Sequence, residues 1–142
     1  MPIMFLSSAE GTFNQSAKDS IASQLTDLGA ECERLARTEF VRSTTYLHFN
    51  DLPVGNIYNG GKRATAKIAT LLVNVLEGGF DATAKEVFIE KATKILGAAS
   101  GQEDRVPAYV IFRDVSNISL GLFGSTATLE DLRKPDPDAK PI

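Results

Sequence analysis

One histidine, His48, and one cysteine, Cys32, set the first limit on the chemistry of this chain. No His/Cys cluster stands at zinc-ligand spacing, and a Cys–His nucleophilic pair requires the two side chains to meet through the fold alone. Cys32 falls on the apolar stripe of a helical pattern, where a buried thiol is expected. No P-loop or dinucleotide glycine fingerprint is present, and Gly60-Gly61 and Gly78-Gly79 read as turns. No metal or cofactor is expected. Acid–base chemistry remains, on polar side chains or on a terminal amine. By position alone Pro2 reads as an ordinary residue at the first place of a strand, which needs no donated hydrogen bond. Once Met1 is removed, its nitrogen is a secondary amine with an intrinsic pKa near about 8, which apolar or cationic surroundings lower into the range of a useful base.

The elements that position such groups are written twice. EGTFNQSAK, Glu10 to Lys18, and EGGFDATAK, Glu77 to Lys85, are near copies at an offset of 67 residues. The same offset lays Asn14 on Asp81, Ser16 on Thr83, Asp19 on Glu86 and Leu28 on Ile95, so helix-start chemistry and apolar face recur together. Before each phrase stands an apolar run, Ile3 to Leu6 and Ala69 to Leu76, that reads as a strand. After each comes a helical stripe: Ile21, Leu25, Leu28, Cys32 and Leu35 in the first copy, Phe88, Ala92, Ile95 and Leu96 in the second. Tyr46-Leu-His-Phe-Asn-Asp then matches Tyr109-Val-Ile-Phe-Arg-Asp at an offset of 63, so the second connection is four residues shorter.

The fold class is therefore α+β: a duplicated β-α-β unit, with a four-stranded mixed sheet and two helices on one face. Two helices leave the other face to solvent or to an oligomer, and the Leu71 to Leu76 run favours burial. A single domain is expected over residues 1–133, with repeat one at 2–51, a linker at 52–66 holding turns or a short hairpin, and repeat two at 67–124. Residues 134–142 read as an extended tail, either disordered or wrapped on a neighbour. A formal charge of −3 lacks the basic excess of a nucleic-acid binder, and no stretch approaches a membrane span or a signal peptide, so the cytoplasm is the expected location.

A duplicated β-α-β unit with proline directly after the initiator methionine resembles the tautomerase superfamily in its fused, double-length form. Val75-Leu-Glu-Gly-Gly-Phe-Asp-Ala-Thr-Ala-Lys resembles the strand-turn-helix phrase of 4-oxalocrotonate tautomerase. Val110-Ile-Phe-Arg-Asp-Val and Leu120-Gly-Leu-Phe-Gly resemble its last strand and glycine-rich ending. Leu52-Pro-Val-Gly-Asn-Ile-Tyr-Asn-Gly-Gly is similar to a phrase of cis-3-chloroacrylic acid dehalogenase and its homologues. The resemblance implies a trimer and a catalytic Pro2, freed of Met1, that carries a proton between oxygen and carbon of a small enol or keto acid.

The family's arginine after Glu-Gly falls here on Thr12 and Gly79, its last-strand arginine on Tyr46 or Tyr109, and its late aromatic on Leu120. The dehalogenase set falls on Leu76 and Gly79, Gly29, Ile111 and Leu122, so hydrolytic dehalogenation is not expected. Arg113 and Lys62-Arg63 are the candidates for holding a monoanion, unless each is a solvated surface charge. Tyr109 shares a strand face with Arg113, and Tyr46 with His48, which is either a second acid–base group or a hydrogen-bonded strand histidine. Asn74 is either a site residue or a satisfied interface group. Two other readings stay open: hydration or decarboxylation of a small acid by the same proline, and a non-catalytic trimeric binding protein.

Overall fold

The computed structural model describes residues 2–102 and 104–142. Among the described residues eight strands and four helices are formed. The first repeat holds β1 (Ile3–Ala9), α1 (Gln15–Glu33), α2 (Glu39–Ser43) and β2 (Tyr46–Leu52), and the second holds β5 (Ala69–Leu76), α3 (Ala82–Ser100) and β6 (Ala108–Val115). Between them stands a hairpin, β3 (Tyr58–Asn59) and β4 (Lys62–Arg63). Its turn is Gly60-Gly61, with φ of 57° and 77°, and two successive positive φ values are what a tight hairpin asks of glycine. After β6 come a second hairpin, β7 (Gly121–Leu122) and β8 (Ser125–Thr126), and α4 (Leu129–Arg133).

The duplication is carried into the fold residue by residue. Both long helices have 19 residues, and each starts on a short polar cap: Asn14 accepts from the Ala17 amide at 2.8 Å and Asp81 from the Ala84 amide at 2.8 Å. Both preceding turns place a glycine, Gly11 and Gly78, at φ of 80°. Lys18 pairs with Asp51 and lies 5.6 Å from the Phe49 ring centre; its counterpart Lys85 pairs with Asp114 and lies 5.6 Å from that of Phe112. Each pair ties a helix start to its outer strand. The extra length of the first connection is occupied by α2.

The main sheet runs β2-β1-β5-β6, with both outer pairs parallel and the central β1–β5 pair antiparallel. In that central register Phe5 faces Leu72, its own equivalent 67 residues on, so the two units meet about a pseudo-twofold through this pair. Strand alternation then sorts the residues. Met4, Leu6, Leu71 and Val73 point at the helices and close the core with Ile21, Leu25, Phe88 and Ala92, all at most 1 % exposed. Phe80, Phe88 and Phe112 add an aromatic cluster with ring centres 5.1–5.6 Å apart. The opposite face carries Phe5, Leu72, Tyr46, Tyr109 and Ile111 with no covering layer among the described residues; Tyr109 is 73 % exposed. A second apolar cluster, Leu35, Val41, Leu76, Leu120, Ala127 and Leu132, joins the end of α1 to the β7–β8 hairpin and α4. The final residues return to α2, where the Ile142 amide donates to Ser43 Oγ at 3.0 Å.

Candidate active site at the start of β1

Pro2 is buried at the entry to β1. With Ile3 opposite Asn74, the register continued by one residue sets Pro2 beside Val75, and its ring lies against α1 at Gly29. A Cβ on Gly29 would stand 2.7 Å from Pro2 Cγ, closer than real carbon contacts allow. One helical turn along, about 5.4 Å, is Glu33. Its side chain is fully buried at 0 % exposure, and its carboxylate is directed at the turn after β5, where a Cβ on Gly79 would come within 2.8 Å of Oε1. Glycine at 29 and 79 leaves the room that Pro2 and Glu33 occupy.

The duplicated half supplies an internal comparison. At the offset of 67, Pro2 corresponds to Ala69, Gly29 to Leu96, Glu33 to Ser100 and Gly79 to Thr12. The other end of the sheet is thus filled by ordinary packing and hydroxyl groups, with Ser100 Oγ donating to the Gly97 carbonyl at 3.2 Å. The end at Pro2 holds the carboxylate.

Helix α4 closes this end. Its capping box, Thr128 with Asp131, fixes the short helix, and the Ala36 amide donates to the Leu132 carbonyl at 3.3 Å. Leu132 is buried, and Leu129 packs over Gly78 and Gly79. Arg133 donates from Nε and Nη2 to the Glu33 carbonyl at 3.2 and 3.1 Å, which places a guanidinium at the C-terminus of α1, where the helix dipole favours a cation. Burial pushes the Glu33 carboxyl above the ordinary carboxylate range; the positive charges of the chain's amino terminus and of Arg133 pull the other way. Burial likewise raises the thiol of Cys32, with Glu31 adding to the effect, which suits a packing residue rather than a nucleophile.

The other candidate residues gather elsewhere. Tyr46, His48, Asn74, Tyr109 and Arg113 all lie on the sheet face opposite the helices, whereas Pro2 belongs with Met4 and Leu6 on the helix face. His48 stacks on Phe5 with ring centres 4.9 Å apart and meets Tyr46 edge-on at 6.4 Å. Asn74 Nδ2 donates to the Ile3 carbonyl at 3.0 Å across the strand pair. Arg113 borders a shallow trough with Phe5, Ser7, Asn50, Leu72 and Ile111. Lys62 and Arg63 are exposed on the β3–β4 hairpin, where Arg63 Nε reaches Tyr58 Oη at 3.4 Å. Removal of Met1, on which the amine chemistry of Pro2 depends, lies outside the described residues. Among the described residues no three His, Cys, Asp or Glu side chains group as metal ligands, and no helix is long and apolar enough to cross a membrane.

Glu33 is the residue of this candidate site that sequence reasoning missed. Two signals pointed to it: a charged residue four positions after a glycine on the buried side of α1, and its mismatch with Ser100 in an otherwise parallel repeat.

Solved structures share this architecture closely. The crystal structure of N1, a member of the cis-3-chloroacrylic acid dehalogenase family, superposes with a TM-score of 0.77 over 88 % of this chain and 82 % of its own, at 18 % identity. This is the tautomerase-superfamily fold in its fused, double-length form. The fused 4-OT F6, an asymmetric trimer, matches at a TM-score of 0.74 and 17 % identity, covering 87 % of this chain and 94 % of its own. Pt0534, solved after inactivation by 2-oxo-3-pentynoate, matches at 0.74 and 16 % identity, covering 88 % and 94 %. No protein-family model matches the sequence, and no curated protein does.

Proposed function

We propose that the protein is a tautomerase-like enzyme in which Pro2, freed of Met1, moves a proton on a small enol or keto acid. The observation that carries this reading is the buried seat of Pro2 against Gly29, in a fold shared with fused 4-OT structures. A secondary amine there is rigid, shielded from water and free of backbone duties, which are the properties a general base needs. The uncovered sheet face and the trimeric state of the fused 4-OT F6 support a homotrimer, built on Phe5, Leu72 and Ile111. In that assembly Arg113 and Lys62-Arg63 are the proposed anion contacts, brought to the site from a neighbouring protomer, with Tyr109, Tyr46, His48 and Asn74 on the same face. A cytoplasmic enzyme without a cofactor completes the reading.

A second reading, a trimeric binding protein without catalysis, is favoured by one observation: Gly79 and Thr12 stand where the fold's arginine grip is expected, and Leu129 covers Gly79. Ketonisation of phenylenolpyruvate, followed by ultraviolet absorbance, separates the two. The enzyme reading expects a rate well above buffer that Pro2→Ala abolishes; equal rates in both proteins would refute it.

A further inference from the structure

We infer that Glu33 is the second proton-transfer group of the Pro2 site, exchanging one proton with the Pro2 amine. The inference rests on the reading of Pro2 given above and adds the partner that a lone amine lacks. Three observations place Glu33 there. It is fully buried, one turn of α1 beyond the glycine that touches the Pro2 ring. Its carboxylate fills the space left open by Gly79, at the turn where the corresponding residue of the other repeat is Thr12. The repeat that has no proline at its strand start has Ser100 in place of Glu33, so carboxylate and proline occur together and are absent together.

A carboxyl and an amine enclosed in one apolar pocket hold a single proton between them most cheaply. Ammonium with carboxylate, and amine with carboxylic acid, are both net neutral, and burial penalises either far less than it penalises one isolated charge. In the chain that retains Met1 the charges acting on Glu33 are the amino terminus and Arg133 of α4, with the Cys32 thiol beside it on α1. Ketonisation then uses both states in turn. The Glu33 carboxylate takes the enol O–H proton, and that O–H electron pair becomes the π bond of the carbonyl. The former C=C π pair forms the new C–H bond with the proton of the Pro2 ammonium. The site now holds a carboxylic acid and a neutral amine. Return of the proton from Glu33 to Pro2 restores the starting pair, so no co-reactant is consumed. Enolisation runs the same steps backwards.

The test is titration of the terminal amine by competitive acetylation with acetic anhydride, using protein whose mass shows Met1 removed. The N-terminal peptide is quantified by mass spectrometry against lysine peptides in wild type and Glu33→Gln. A carboxylate partner holds the amine protonated to higher pH, so the inference expects the Glu33→Gln amine to titrate at lower pH than the wild-type amine. It also expects the variant to ketonise phenylenolpyruvate about a hundredfold or more slowly with little change in KM. Coincident titrations with a wild-type rate would overturn the role of Glu33 while leaving Pro2 in place. A Pro2→Ala protein at the wild-type rate would instead overturn the tautomerase reading itself. Glu33→Asp, which withdraws the carboxyl by one methylene, gives the same comparison if the glutamine variant does not fold.

Discussion

Gly29→Ala puts the packing at Pro2 under direct strain. The added Cβ would stand 2.7 Å from Pro2 Cγ and 3.4 Å from Cδ, atoms of a closed ring fixed to the backbone just before β1 rather than the end of a flexible side chain. Ordinary carbon contacts begin near about 3.5 Å, so strand and helix must part locally by roughly 1 Å. Overpacking of this kind costs about 1–3 kcal/mol, while replacing a mid-helix glycine by alanine returns about 0.5–1 kcal/mol of helix propensity. The expected net change is a destabilisation of about 0–2.5 kcal/mol, read from the urea midpoint at constant slope. Catalysis is the more sensitive readout. A displacement of about 1 Å at a reacting group costs on the order of a hundredfold in rate, so ketonisation should fall far more than stability does. A variant stabilised by about 1 kcal/mol, with an unchanged rate, would show that Pro2 does not rest on Gly29 and would refute the geometry of the site.

Further outcomes follow from the same packing. Gly79→Ala meets Glu33 Oε1 at 2.8 Å and the Leu76 carbonyl at 2.9 Å, so it should lower stability by about 1–3 kcal/mol in urea denaturation. Leu132→Ala empties a side chain that is 2 % exposed beneath α4 and should cost about 2–4 kcal/mol, visible as an earlier thermal transition. Because burial raises the Glu33 carboxyl above its unfolded value, the native state holds that proton more tightly. Its stabilising share is complete below the unfolded pKa and is lost as pH rises through the folded one, so wild type should lose stability over that interval and Glu33→Gln should lose less, in urea titrations run across pH. Ile111→Asp, on the uncovered sheet face, should convert a trimer to monomers in sedimentation while leaving the far-ultraviolet circular dichroism unchanged.

The offset of 67 carried most of the fold, because a duplicated unit constrains two places at once. Asn14 and Asp81 marked both helix starts to the residue, and the weaker apolar pattern of the second helix was supported by the first. Short elements were not legible: α2 and α4 have five residues each, too few for a helical period, and are held by caps and by burial of Val41 and Leu132. The site was legible in part. Alternation grouped Tyr109 with Arg113 and Tyr46 with His48, yet which face they share with Pro2 depends on register, and register is set by partner strands. Ile3 pairs with Tyr46, so even positions of β2 stand beside odd positions of β1, away from Pro2. Glu33 was hidden because a charge on an apolar stripe acquires meaning only when the chain start and the Gly79 turn are brought around it.

The central claim concerns one atom, the nitrogen of Pro2, and two forms of the same polypeptide isolate it. Protein retaining Met1 carries a tertiary amide there, and protein treated with methionine aminopeptidase carries a secondary amine, with every other residue identical. Phenylenolpyruvate ketonisation by the two forms, each verified by mass, should show a rate in the processed protein and none above buffer in the unprocessed one. Equal rates in the two forms would contradict catalysis by the Pro2 amine.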